Sequence, residues 1–257
     1  LAPTLAPAIH ARLAVTRGRY IEPFLGGAAI ALDLGMPRML LGDACQPLIT
    51  MYQAVVKFPD AVDLELRTLV ERGTDEESYY RVRAKTSRSH VAIAARFIYI
   101  NKLGFNGLYR ENSQGLCNVP YGKDPNKGLP TLEHIRAVAN AFKTSEILVQ
   151  GALQTIARAQ RGDVIYADPP YLATFSNYTA GGFNDDAHAT LAQALRAAHA
   201  RGVMVVASNT DHERIRELYD WATIIPIHEH HVVAADDGKR GKKAAVLITS
   251  DQTLLGP

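Results

Sequence analysis

A carboxylate, two prolines and an aromatic ring stand in a row at Asp168-Pro169-Pro170-Tyr171, directly after the apolar run Val164-Ile165-Tyr166-Ala167. Such a run reads as a buried strand, so the four residues fall at its C-terminal end, the edge of an open α/β sheet where ligands bind. Consecutive prolines remove two backbone donors and fix φ. The Asp168 carboxylate and the Pro169 carbonyl are then acceptors with few local partners. Two acceptors satisfy the two N–H groups of a planar amino nitrogen of the kind found on adenine, while Tyr171 offers a ring to stack on. Taken alone, the tetrapeptide reads equally well as a strand-ending turn in which Asp caps its own backbone.

Two further signals sit near the start. Tyr20-Ile21 runs into Glu22-Pro23-Phe24-Leu25-Gly26-Gly27, after which Ala28-Ala29-Ile30-Ala31-Leu32 reads as a helix. Paired glycines between a strand and a helix let a backbone approach a ligand closely, and the helix start favours groups that accept hydrogen bonds. Some twenty residues on, Arg38-Met39-Leu40-Leu41-Gly42-Asp43 is a second short strand ending in an acid. In nucleoside-binding α/β units, an acid at that place accepts hydrogen bonds from ribose hydroxyls. The pattern is not Gly-x-Gly-x-x-Gly, so a phosphate ligand is poorly supported. Each signal also has a plain reading, a tight turn for the glycines and a helix cap for Asp43.

With 257 residues, 47% of them hydrophobic, the chain can bury a core large enough for one α/β domain carrying a smaller insertion. No apolar run approaches the ~20 residues of a membrane span. Cys45 and Cys117 stand far apart with no His or Cys at metal-ligand spacing, so neither a disulfide framework nor a zinc site is expected, and a reducing cytoplasm is the simplest compartment. The net charge of +2 says little about partners. Locally, Lys239-Arg240-Gly241-Lys242-Lys243 is a compact basic loop, and Arg81, Arg83, Lys85 and Arg88 form a second basic run that reads as a solvated face.

The elements that must position these residues alternate. Helical spacing recurs over 48–58, 61–72, 91–100, 132–142, 185–201 and 214–221, and short strands are expected at 146–149, 164–167, 203–207, 224–227 and 244–248. Gln150-Gly151-Ala152 reads as a turn, and Ser208-Asn209-Thr210-Asp211 as the end of the strand before it. Alternating strands and helices predict a doubly wound, mostly parallel sheet. Residues 72–90 read as an exposed polar excursion, and 101–127, rich in Asn, Gly, Tyr and Pro, as a hairpin or loop region. The interval between the glycine turn and Asp168 is too long for the βαβ units it must contain. It points to a separate recognition subdomain.

Taken in order, Tyr20-Ile21-Glu22-Pro23-Phe24-Leu25-Gly26-Gly27, Phe105-Asn106-Gly107-Leu108-Tyr109-Arg110, Asn118-Val119-Pro120-Tyr121-Gly122, Asp168-Pro169-Pro170-Tyr171 and Ser208-Asn209 resemble the Dam-like class of DNA adenine N6-methyltransferases. The resemblance runs from about Tyr20 to Ile248, and its hairpin signature is the most specific part. It implies a Rossmann-like methyltransferase fold, with residues 1–55 and 143–257 binding S-adenosylmethionine and 56–142 an inserted helical and hairpin subdomain for target recognition. Glu22, Phe24, Gly26, Gly27, Asp43, Gly151, Ala152 and Asp168 would line the cofactor, Asp43 at the ribose. Asp168, Pro169, Pro170 and Tyr171 would hold a flipped adenine without a metal. Phe105, Asn106, Leu108, Arg110, Asn118 and Pro120 would read duplex DNA in GATC, with Arg110 on a guanine and Phe105 wedged into the stack. Lys239, Arg240, Lys242 and Lys243 would contact phosphates.

The resemblance has two departures. Family members open with a Trp-Ala-Gly-Gly-Lys-like segment, and Leu1 to Arg12 resembles the helix that follows it, so that segment is expected upstream of Leu1. The stretch after Tyr171, Leu172-Ala173-Thr174-Phe175, is shorter than in relatives, which implies a reduced lid over the target base or missing residues. A monomer is expected, in a bacterial cytoplasm near the nucleoid or encoded by a phage, with a restriction-modification or housekeeping role left open. The competing readings are an adenine methyltransferase for RNA or another DNA site, and a DNA-binding homologue without activity.

Overall fold

The computed structural model describes residues 2–123, 128–172, 183–228 and 244–252. The chain divides into two compact units, one made of 1–44 and 148–257, the other of 45–147.

In the first unit, strands β1 (Tyr20–Glu22), β2 (Leu40–Asp43), β3 (Glu146–Val149), β4 (Val164–Ala167), β5 (Met204–Thr210), β6 (Thr223–His228) and β7 (Ala244–Thr249) form one sheet in the order β3-β2-β1-β4-β5-β7-β6. β1 pairs in parallel with β2 and β4, and β4 with β5, while β7 runs antiparallel between β5 and β6. This is the expected mostly parallel α/β sheet. Its central strands are near-continuous apolar runs because both faces are covered. Ile21, Ile165, Ala167, Val205 and Ala207 point to one face, where they pack on Leu191, Leu195 and Ala198 of α9 (Asp185–Ala200) and Ile215 of α10 (Glu213–Leu218). Side chains alternate across a strand, so Tyr20, Glu22, Tyr166 and Ser208 share the opposite face. All four of these polar residues are buried.

Two features of this unit differ from expectation. β5 runs on through Ser208, Asn209 and Thr210, which are strand residues rather than the turn that ends it. Their pairing with Leu247, Val246 and Ala245 of β7 is non-local, so it leaves no trace in the local sequence. The turn at 150–152 also opens a short helix, α8 (Ala152–Ala157), whose Thr155 and Ile156 are buried. α8 lies so close to β2 that a Cβ on Gly42 would stand 2.4 Å from Thr155 Oγ1.

The second unit is helical, with α3 (Gln46–Lys57), α4 (Pro59–Glu71), α5 (Glu76–Ala84), α6 (His90–Leu103) and α7 (Leu132–Phe142) around a core that includes Val62, Leu66, Tyr79, Tyr99, Ile100 and Ile135. α3, α4, α6 and α7 follow the helical spacing of the sequence. α5 corrects the reading of 72–90 as an exposed excursion. Asp75 caps it by accepting from the Ser78 amide, and Tyr79 and Val82, three apart, are buried. Two inward residues in a charged stretch give too weak a periodicity to stand out. Arg83 of the second basic run is not simply solvated either, since its guanidinium lies 4.6 Å from the Tyr80 ring centroid and donates to the Val119 carbonyl.

The Gly42 contact yields a stability prediction. Gly42→Ala should cost about 1–3 kcal/mol in denaturant unfolding, because the new methyl meets Thr155. Thr155→Ala in the same background should return part of that loss, whereas strictly additive losses would show that the two positions do not touch.

Candidate functional site

Three acids sit at the C-terminal ends of three neighbouring strands: Asp43 on β2, Glu22 on β1 and Asp168 just after β4. β1 lies between the other two. Glu22 is only 3% exposed, accepts a hydrogen bond from Tyr20 Oη at 2.9 Å, and also accepts from the Ala31 amide. Burial, then the negative charges of Asp168 and Asp43, push its carboxyl up to about 8, against the bonds from Tyr20 and Ala31. Burial and Glu22 likewise raise the Tyr20 phenol.

The glycine turn is tied to β2 next door. The Leu25 amide donates to Gly42 O at 3.0 Å and the Gly26 amide to Asp43 Oδ2 at 3.1 Å. Gly26 has φ +45°, which suits a residue without Cβ. A Cβ at Gly26, Gly27 or Gly151 would meet nothing within 4 Å, so open space lies beside all three. The Gln150 amide donates to Asp43 O at 3.1 Å, which brings the turn before α8 to the same acid. Glu22, Gly26, Asp43 and Gly151 are thus joined through β1, β2 and their loops, with Gly27 and Ala152 next in chain. Phe24 is half-buried and meets Phe183 edge-on at 5.8 Å. Phe183 in turn meets His188 of α9 edge-on at 4.7 Å. His188 is fully buried and burial lowers its pKa.

Asp168 is exposed, Pro169 buried, Pro170 exposed and Tyr171 half-buried. The segment is held from β5 by three successive residues. Ser208 Oγ donates to Asp168 Oδ1 at 2.6 Å, Asn209 Oδ1 accepts from the Leu172 amide at 3.1 Å, and Thr210 Oγ1 donates to the Leu172 carbonyl at 3.1 Å. Tyr166 Oη lies 3.4 Å from Ser208 Oγ. Tyr20 and Ser208 entered the sequence reading only within strings that carry the resemblance, and Tyr166 only as a strand residue, none with a site role. A signal for them existed: parallel pairing of Ala167 with Ala207 puts residues 168 and 208 side by side. Of the expected short lid, Ala173, Thr174 and Phe175 lie outside the described residues, as do the basic residues Lys239, Arg240, Lys242 and Lys243.

The hairpin residues lie in the second unit. Phe105, Asn106, Leu108, Arg110 and Pro120 are exposed and Asn118 is half-buried. Glu111 bridges Cys117 and Gly104 bridges Tyr121, with Asn118 N donating to Arg110 O at 3.0 Å and Phe105 N to Pro120 O at 2.9 Å. Arg110 Nε donates to Asn118 Oδ1 at 2.8 Å. Asn106 is left-handed at φ 53°, a conformation Asn tolerates better than most residues. Beneath the hairpin, Tyr79 Oη and Arg83 Nη1 both donate to the Val119 carbonyl, at 3.0 and 2.8 Å. A Cβ on Gly122 would stand 2.8 Å from Gly104 O, so the two arms of the hairpin approach closely where neither carries a side chain. Among the described residues, no group of three or more His, Cys, Asp or Glu is arranged to hold a metal ion, and no helix is long and apolar enough to cross a membrane.

Residues 1–233 match the family described as D12 class N6 adenine-specific DNA methyltransferase. Among characterised proteins, the chain is 34% identical over 221 residues to the Retron Ec67 DNA adenine methylase of Escherichia coli, covering 84% of this chain and 75% of the relative. It is 32% identical over 231 residues to a DNA adenine methylase of Vibrio cholerae, covering 86% and 83%. A type II methyltransferase of Lactococcus lactis, M1.LlaDCHI, is 29% identical over 259 residues, covering 96% and 91%.

Glu22 makes stability depend on pH. In the folded chain it keeps its proton up to about pH 8, whereas an unfolded glutamate releases it near 4.5. Between these values the folded state binds more protons than the unfolded one, so stability falls as pH rises through the window and levels off above it. His188, held neutral, works in the opposite direction below its ordinary value of 6.5, so the comparison must be with a Glu22 variant. Glu22→Gln should remove on the order of 5 °C of the fall in Tm between pH 5 and 8. Superimposable Tm–pH curves would show that Glu22 ionises normally.

Proposed function

We propose that the chain, which belongs to the D12 class N6 adenine-specific DNA methyltransferase family, transfers a methyl group from S-adenosylmethionine to an adenine flipped out of duplex GATC. The observation that carries the reading is Asp168. It is an exposed carboxylate on a rigid Pro-Pro turn, at the end of the strand beside the buried acid Glu22.

The residues at this edge fit the donor. S-Adenosylmethionine carries a sulfonium cation, an adenine and a ribose, and when bound it supplies an electrophilic methyl group. The carboxylates of Asp43 and Asp168 favour a cation at the strand ends, and a cation there favours ionisation of Glu22 between them. Asp43 accepts from Gly26 N through one oxygen, and a carboxylate has further acceptor sites for ribose hydroxyls. The open space beside Gly26, Gly27 and Gly151 leaves room for ligand atoms against the backbone, with Ala152 flanking it and the Phe24 ring offering an apolar wall.

At the target, Asp168 and the Pro169 carbonyl accept the two N–H groups of the adenine amino nitrogen. This withdraws its lone pair from the ring and aims it at the methyl group. Asp168 also stabilises the positive charge that grows on that nitrogen. Pro170 fixes the turn, and Tyr171 stacks on the extruded base. In the second unit, which we assign to target recognition, Asn118 engages Arg110 through Nε, consistent with an Nη fork on guanine O6 and N7. Phe105, exposed at 38%, fills the gap in the stack with help from Asn106, while Leu108 and Pro120 contact neighbouring bases. Lys239, Arg240, Lys242 and Lys243 neutralise phosphates.

Purified protein should transfer labelled methyl groups from S-adenosylmethionine to GATC duplexes and not to duplexes with the site permuted. Equal incorporation into both would remove the assigned specificity. Asp168→Ala should lower kcat roughly a hundredfold or more while sparing duplex binding. Arg110→Ala should relax discrimination at one guanine by ~1–3 kcal/mol, read as kcat/KM on matched and substituted sites.

A further inference from the structure

We infer that Ser208 is a positioning residue, which fixes the Asp168 carboxylate for methyl transfer as the middle link of a Tyr166, Ser208, Asp168 hydrogen-bond chain. The inference rests on the functional reading above and concerns a residue that touches neither base nor methyl donor in that reading.

Sequence and register create the chain. β4 and β5 pair in parallel with Ala167 opposite Ala207, so the residues one further along, Asp168 and Ser208, stand side by side. Tyr166 lies two residues before Asp168 and therefore on the same face. Ser208 is fully buried and Tyr166 is 3% exposed, so each hydroxyl needs a partner. An ionised carboxylate only accepts. Ser208 must therefore give its proton to Asp168, and its own oxygen is left to accept from Tyr166. The 2.6 Å bond to Asp168 Oδ1 lies in the range of a charge-assisted O–H···O contact, and 3.4 Å to Tyr166 marks the weaker link.

The two prolines leave the turn with two fewer amides of its own. Each carboxylate rotamer out of line with the base lowers the fraction of encounters in which both amino protons are accepted, and the short bond from Ser208 favours one of them. Asn209 and Thr210 fix the far end of the segment through the Leu172 amide and carbonyl. Ser208 acts on the carboxylate itself. The roles are separable, because removing the Ser208 hydroxyl leaves the Leu172 clamp intact.

The test is steady-state kinetics on a duplex substrate, with thermal unfolding alongside. Ser208→Ala should lower kcat by about tenfold to a hundredfold, leaving KM for duplex and for S-adenosylmethionine within about twofold and Tm within a few degrees. Ser208→Thr, which keeps the hydroxyl, should recover most of the rate, while Ser208→Cys, similar in size but a weak donor, should behave like Ala. Tyr166→Phe should show a smaller loss in kcat alone. Wild-type kcat in Ser208→Ala, or a loss appearing mainly in KM or Tm, overturns the positioning role and leaves the assigned reaction standing. Wild-type protein that methylates no duplex overturns the assigned reaction, and this role with it.

Discussion

Like charge on neighbouring strands is the constraint around which the C-terminal edge of the sheet is organised. Asp43, Glu22 and Asp168 end β2, β1 and β4, and the middle acid is the buried one. Three ionised carboxylates there would repel one another in a medium that screens poorly. The chain resolves this by keeping Glu22 protonated near neutral pH, by giving it the Tyr20 hydroxyl and the Ala31 amide as donors, and by leaving Asp168 in contact with solvent. A cation beside the row lowers the cost of ionising Glu22, so the same arrangement favours a positively charged ligand.

The Asp-Pro-Pro-Tyr turn follows a related logic. Pro169 and Pro170 take two backbone amides out of the turn. Part of its support comes from the next strand. Ser208, Asn209 and Thr210 supply it in consecutive positions, two through side chains at Leu172 and one at Asp168. β5 can extend far enough to do this because β7 pairs along it through Thr210. A strand outside the parallel core thus fixes the geometry of the turn on β4.

The parts legible in the sequence were those in which one segment carries its own signal. β4 and β2 announced themselves as apolar runs ending in an acid, and α3, α4, α6 and α7 by helical spacing. The missed parts depend on partners distant in sequence. The last residues of β5 look like a polar turn until Val246 and Ala245 pair with them. α8 shows only Thr155 and Ile156 inward over six residues, and α5 only a few buried residues in a charged stretch. The site residues divide the same way: Asp168 was visible as a motif, while Ser208 needs the register between two strands, which is set by the whole sheet.

The hairpin of the second unit shows why its exposed apolar residues are better understood as displayed than as failed anchors. Phe105 and Leu108 remain 38% and 41% exposed, so neither contributes the full burial energy of a core residue. The hairpin is nevertheless held from below. Tyr79 and Arg83 converge on the Val119 carbonyl, Gly122 and Gly104 allow its two arms to meet at backbone distance, and Asn101 donates to the Gly107 carbonyl beside the left-handed Asn106. Anchoring is therefore done by backbone acceptors and by a tyrosine and an arginine rooted in the helical core. This leaves the tips of Phe105, Leu108 and Arg110 on a fixed frame, and side chains ordered before an encounter lose less conformational entropy when they meet a partner.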